Sequence, residues 1–151
     1  MIPDTPPVAL TIAGSDSGGG AVIQADLLTF ASLGVHGTSA VTALTAQNTV
    51  GVTGVHVPPV EFLLAQVEAV LDDLPVAATK TGMLATEDVV RAVAGLAAAG
   101  RLPGLVVDPV LVSSTGARLL DPGAERAYRE ALFPHAVVVT PNTREATTLL
   151  D

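Results

Sequence analysis

The sequence has no cysteine, no tryptophan and a single lysine, Lys80. Without a thiol it cannot form a disulfide framework, a zinc–thiolate site or a cysteine nucleophile within these residues. Three phenylalanines and one tyrosine provide no platform on which nucleic-acid bases could stack. Seven Lys+Arg against fifteen Asp+Glu give a net charge of −8. Lys80 and the scattered arginines make no basic stripe, so nucleic acid is excluded as a partner. No apolar run approaches the ~18 residues of a membrane span. Met1–Pro7 has no basic segment followed by an apolar core, so no secretory signal is expected and a cytoplasmic protein is the default.

The 151 residues are 49% hydrophobic and 15% charged, which excludes disorder and suits a single domain over 1–151. The apolar mass is Ala, Val and Leu, the usual material of buried parallel strands and their covering helices. Strands are expected at Val8–Ala13, Ser39–Thr45, Val76–Lys80, Leu105–Val107 and Val137–Thr140, with a short extended piece at Gly51–Val57. A helix is expected over Ala21–Leu33. A second runs over Pro59–Leu74, where Val60, Leu63, Leu64, Val67, Val70, Leu71 and Leu74 share one face. Thr86 reads as the cap of a third helix ending at Gly100. Asp121-Pro122 opens a fourth helix to Phe133, and a last one begins near Asn142. Strand and helix in alternation predict an α/β fold with a mostly parallel sheet and helices on both faces.

Ligands of such sheets bind beyond the carboxyl ends of the strands. The loops there are Gly14–Gly20, Thr45–Asn48, Thr81–Leu84, Asp108–Gly116 and Pro141–Glu145. Polar residues and glycines concentrate in them, which points to a small-molecule site.

Gly14-Ser15-Asp16-Ser17-Gly18-Gly19-Gly20 allows close backbone approach and offers N–H groups to an anion or polar ligand. The bland alternative is a tight turn in which Asp16 or Ser17 binds local backbone. The run lacks the Gly-Lys-Ser/Thr of a phosphate-binding loop. Ile23 breaks the dinucleotide fingerprint, and Asp16 stands where a nucleophile elbow needs serine. Asp26 either faces solvent or faces the sheet and accepts a hydroxyl. Gln47 suits the edge of a heteroaromatic ring, or simply a turn. Lys80 can neutralise a phosphate or be an edge lysine. Met83 can cover a ring face or fill core. Asp108 is placed for magnesium or a substrate hydroxyl. Asn142 and Glu145 read as a capping box or as part of a nucleotide–magnesium site. His36, His56 and His135 show no ligand spacing and are expected at loops or surface.

Taken in order, Gly14–Ala21, Ile23-Gln24-Ala25-Asp26, Thr42–Thr49, Lys80–Leu84, Asp108-Pro109-Val110, Thr140-Pro141-Asn142 and Glu145-Ala146 resemble the hydroxymethylpyrimidine/phosphomethylpyrimidine kinases of thiamine biosynthesis. That family is ribokinase-like. The resemblance implies ATP- and magnesium-dependent phosphorylation of 4-amino-5-hydroxymethyl-2-methylpyrimidine and then of its monophosphate, by a homodimer. It implies a pyrimidine pocket lined by Gly14, Asp26, Thr45, Gln47, Met83 and Val110. Asp108 and Glu145 would lie near the metal, and Lys80, Asn142 and Glu145 near the nucleotide phosphates.

Two departures from the family pattern stand out. The family usually has Ala-Gly-Ile-Gln where this sequence has Ala21-Val22-Ile23-Gln24. Its Gly-Thr-Gly-Cys anion hole, with the catalytic cysteine and much of the ATP site, follows in a later segment and has no counterpart here. The expectation is therefore an amino-terminal portion of the fold, with no catalytic residue of its own and weak or absent turnover. Two other readings stay open: a pyridoxine or pyridoxal kinase, and a non-catalytic pyrimidine-binding fragment that needs a partner chain.

Overall fold

The computed structural model describes residues 5–111 and 123–150. The elements run β1 (Val8–Asp16), α1 (Val22–Ser32), β2 (His36–Gln47), β3 (Val52–His56), α2 (Val60–Asp73), β4 (Val76–Thr81), α3 (Glu87–Ala98), β5 (Val106–Val107), α4 (Ala124–Ala127), β6 (Val138–Val139) and α5 (Thr143–Leu150). From α4 the chain continues through a wider helical turn, Tyr128–Leu132, and a tighter one, Phe133–His135. The expected cap at Asp121-Pro122 and the end of the Asp108–Gly116 loop lie outside the described residues.

Among the described residues the sheet has six strands, in the order β3-β2-β1-β4-β5-β6. All neighbours are parallel except β2 and β3, which pair antiparallel from Leu44↔His56 to Gln47↔Val52. The sheet is mostly parallel as expected, and the extended piece expected at Gly51–Val57 is its one antiparallel strand, where the chain turns straight back along β2. Asn48 makes that reversal, its side chain accepting from the N–H groups of Val50 and Gly51. Two expected loops also begin as strand: Gly14–Asp16 extends β1, and Thr45–Gln47 extends β2.

Strand alternation divides β1 between two environments. Leu10 and Ile12 face a core shared with Leu63 and Val67 of α2, Val89, Val90 and Val93 of α3, and Tyr128 and Leu132. The intervening Thr11 faces α1, where it meets Asp26. The α3 boundary forms as the sequence predicts. The Thr86 hydroxyl accepts from the Val89 N–H, Glu87 and Asp88 occupy the first turn, and Gly100 takes a φ of 70° just beyond the end.

Where β2 runs past the reach of β3, the Gln66 side chain of α2 substitutes for a strand, accepting from the Val41 N–H and donating to its carbonyl. At the opposite side of the sheet Val137 and Val138 are exposed, as is Leu150 of α5. All three histidines are exposed, as expected. No described helix is long and apolar enough to cross a membrane.

Candidate functional site

The glycine-rich turn after β1 is closed from within. The Asp16 carboxylate accepts from the N–H of Gly18 at 2.7 Å and from those of Gly20 and Ala21 at 3.0 Å each. The Ser17 hydroxyl donates to the Gln47 carbonyl at 2.6 Å and accepts from the Gln47 N–H at 2.8 Å. Gln24 of α1 accepts from the Asp16 N–H and donates to the Ser15 hydroxyl. These N–H groups are thus not open to an external anion. The expectation of a free nest is corrected, because the chain carries its own carboxylate at the favourable end of α1.

Beside this turn lies a small apolar patch, separate from the main core. Ala43, Met83 and Ala85 are buried together, with Val22, Val57 and Val110 packed against them. Gly14 borders it: a Cβ at Gly14 would lie 3.2 Å from the Met83 sulfur. Ala43, Thr45 and Gln47 occupy alternate positions of β2, which places the two polar residues on the patch side of the strand. The Thr45 hydroxyl bonds the Ser15 carbonyl and lies 3.3 Å from the Gln47 side-chain oxygen. The loops after β1, β2, β4 and β5 therefore meet around one apolar surface with an amide at its edge. Ala43, Met83 and Ala85 are buried, so the accessible edge of this cluster is formed by the half-buried Val22, Val57 and Val110.

A charged group sits on the α1 side of the sheet. The Lys80 ammonium is 3.0 Å from Asp26 and 3.6 Å from Asp108. Asp26 also accepts the Thr11 hydroxyl at 2.6 Å. It does face the sheet, but the hydroxyl it holds is the protein's own. Lys80, expected near phosphate, is shared between two carboxylates. Burial pushes the Asp108 carboxyl above its ordinary range. Lys80 opposes that shift, and the negative charges of Glu145 and Asp26 add to it.

Asn142 and Glu145 form the capping box that their spacing suggests. The Asn142 side chain accepts from the N–H groups of Arg144 and Glu145, while Glu145 reaches back to accept from the Asn142 N–H at 2.9 Å. Glu145 is nevertheless buried, and its other oxygen lies 3.5 Å from the Leu111 N–H. One carboxylate therefore caps α5 and also ties it to the loop after β5.

Sequence reasoning missed three contributors. Thr11 anchors Asp26. Gln24 braces the glycine turn. Tyr128 is fully buried, and its hydroxyl lies 3.4 Å from the Gly82 carbonyl. Burial, together with the charges of Asp108 and Glu145, raises the Tyr128 pKa and keeps its hydroxyl neutral. A lone tyrosine in an aromatic-poor sequence was the only available signal. No spacing ties it to β4.

Among the described residues no three His, Asp or Glu side chains gather as a complete metal cage. Asp108 feels the negative charge of Glu145, and a pair of neighbouring carboxylates is a donor type that magnesium accepts, with water or phosphate oxygens for the rest.

Comparison with known proteins identifies the family and the fold. The family model for phosphomethylpyrimidine kinase matches residues 16–151. A hydroxymethylpyrimidine/phosphomethylpyrimidine kinase from Synechococcus elongatus is 55% identical over 140 residues, covering 93% of this chain and 53% of the relative. The chain thus spans about half the length of the curated relatives it matches. The crystal structure of phosphomethylpyrimidine kinase from Clostridium difficile superposes with a TM-score of 0.86 at 43% identity, over 95% of this chain and 62% of that one. A pyridoxal kinase from Staphylococcus aureus, solved with AMP-PCP and pyridoxal, gives 0.82 at 38% identity over 96% of this chain and 51% of that one. The fold is ribokinase-like α/β, with a mixed, mostly parallel sheet. By family model, sequence and fold, the chain belongs to the phosphomethylpyrimidine kinase family.

Proposed function

We propose that this chain is the acceptor-binding part of an ATP-dependent kinase that phosphorylates 4-amino-5-hydroxymethyl-2-methylpyrimidine and its monophosphate in thiamine biosynthesis. The observation that carries the reading is the Met83 patch, bordered by Gly14 and edged by Thr45 and Gln47. The ring packs on the half-buried Val110 at the edge of the cluster that Met83 fills. The Gln47 amide, which can both donate and accept, pairs with the ring nitrogen and exocyclic amine. Asp26 and Lys80 fix polarity beside the ring, and Lys80, Asn142 and Glu145 border the phosphates.

Phosphoryl transfer depends on positioning and on charge stabilisation more than on covalent chemistry by the protein. Asp108 and Glu145 would hold magnesium, which when bound offsets the charge of the transferring phosphoryl group. Such a cation would also lower the raised pKa of Asp108, because it favours the ionised carboxylate. The donor cradle of the family belongs to a later segment of the longer relatives. The working enzyme on this reading is a single-domain cytoplasmic protein that acts as a homodimer.

A coupled ADP-release assay with the hydroxymethylpyrimidine and magnesium tests the activity in a full-length relative carrying these residues, where turnover is expected. The 151-residue chain is expected to bind the pyrimidine but to turn over weakly or not at all. Absence of turnover in that relative would defeat the assignment. Pyridoxal phosphorylation is the second reading, favoured by the close superposition on a pyridoxal kinase. Preference for pyridoxine in the same assay would establish it instead.

A further inference from the structure

Two non-glycine residues among those described take left-handed backbone, Val22 with φ 48° and Ala85 with φ 64°. They come from different loops, yet both pack into the patch around Met83. Strain of this kind persists only where its surroundings over-determine it, and it gathers at ligand clamps. Val22 is the costlier of the two, because a β-branched side chain is least tolerated at positive φ.

The backbone at Val22 is fixed from both sides. The N–H groups of Gly20 and Ala21, just before it, are held by the Asp16 carboxylate. Gln24, just after it, is bonded to the Asp16 N–H and the Ser15 hydroxyl. Val22 itself bridges to Ser15. The side chain therefore cannot relax by turning the backbone, and it stays packed, half-buried, against the cluster of Ala43, Met83 and Ala85. A glycine would satisfy the same backbone without strain. What valine adds is only volume on the patch.

We propose that Val22 is a specificity-determining residue. Its isopropyl group trims the ring site so that a compact pyrimidine alcohol fits and a pyridine alcohol with an additional ring substituent is disfavoured. This rests on the function proposed above. In that setting, the backbone strain at Val22 is the cost of a narrower pocket.

The test is equilibrium binding of hydroxymethylpyrimidine and of pyridoxine to the 151-residue chain. The wild type is compared with Val22→Gly and Val22→Ala, and folding is checked by circular dichroism. The ratio of pyridoxine to pyrimidine affinity should rise about tenfold or more in Val22→Gly, since even one methylene in an apolar pocket is worth about that much and three carbons are removed, and by less in Val22→Ala. A ratio unchanged in both folded variants overturns the proposal while leaving the function intact. A Val22→Gly chain that fails to fold also overturns it, since glycine should be the easier residue at this φ. A wild type that binds neither ring defeats the functional reading and this inference with it.

Discussion

Lys80 of β4 and Asp26 of α1 hold each other across the sheet face, the ammonium lying 3.0 and 3.1 Å from the two carboxylate oxygens. Neither side chain has wide access to water, with 23% and 15% of their surfaces exposed. Lys80 also faces Asp108, so one cation balances two anions.

Removing that cation leaves the two carboxylates facing each other. Lys80→Met should destabilise the chain by about 2 kcal/mol, below the full cost of breaking a deeply buried pair because water still reaches the group. Adding Asp26→Asn should recover part of the loss. Urea denaturation of the three variants measures both effects. A Lys80→Met chain within about 0.5 kcal/mol of wild type would mean the cluster is only a solvated surface pair.

Asp108 gives a pH signature. Its folded-state pKa lies above the ordinary value of 3.8, so the folded protein binds this proton more readily than the unfolded chain does. Stability from this group therefore falls as pH rises from 3.8 through the raised folded-state value, and the penalty is complete above it. In metal-free buffer Asp108→Asn should be more stable than wild type at neutral pH. That gain should shrink as pH falls through the same window. A variant less stable than wild type at neutral pH would show that the Lys80 pairing outweighs the desolvation. The expected sign fits a group retained for chemistry at some cost in stability.

Asp16 fills the start of α1 with the protein's own charge. Asp16→Ala should lose about 2 kcal/mol, since three N–H groups lose their acceptor at once. It should also expose the nest that the glycines create. Sulfate at millimolar concentration should then raise the melting temperature of the variant more than that of wild type. Equal response to sulfate in both chains would show that the turn collapses without its carboxylate.

How far these features could be read in advance depended on whether they are local. The Thr86 cap, the Asn142–Glu145 box and the apolar face of α2 are all short-range, and each formed at its expected place. That the loops carrying Gly14, Met83 and Val110 lie at one end of the sheet followed from the strand–helix alternation, but which of their residues meet came only from the resemblance. The antiparallel return of β3 was missed because glycines and valines at Gly51–Val57 fit either direction of pairing. The closure of the glycine turn by Asp16 was weighed and set aside, since a glycine run invites an external anion as readily as an internal one. The strain at Val22 has no trace in the residue's own chemistry. Its one forewarning was the family's glycine at that position, and the φ of 48° shows why glycine suits it.

The ring site makes a last, separable prediction. Gln47 lies at the edge of the patch and Met83 within it, so the two side chains should act on different properties of a bound ring. Gln47→Ala removes a donor and an acceptor and should weaken hydroxymethylpyrimidine binding about tenfold, the scale of a lost hydrogen bond to a partner then left unpaired. The Gln47 N–H and carbonyl that anchor Ser17 belong to the backbone, so the turn should survive the substitution. Met83→Ala instead removes buried apolar contact. It should cost about 2–3 kcal/mol of stability as well as affinity. Its affinity loss should be similar for a pyrimidine and for a ring lacking the exocyclic amine, whereas the Gln47→Ala loss should be larger with the amine present, because only then are both Gln47 pairings broken. Calorimetric titration of both rings against both variants separates the roles. Equal losses in all combinations would place the ring away from the Gln47 edge.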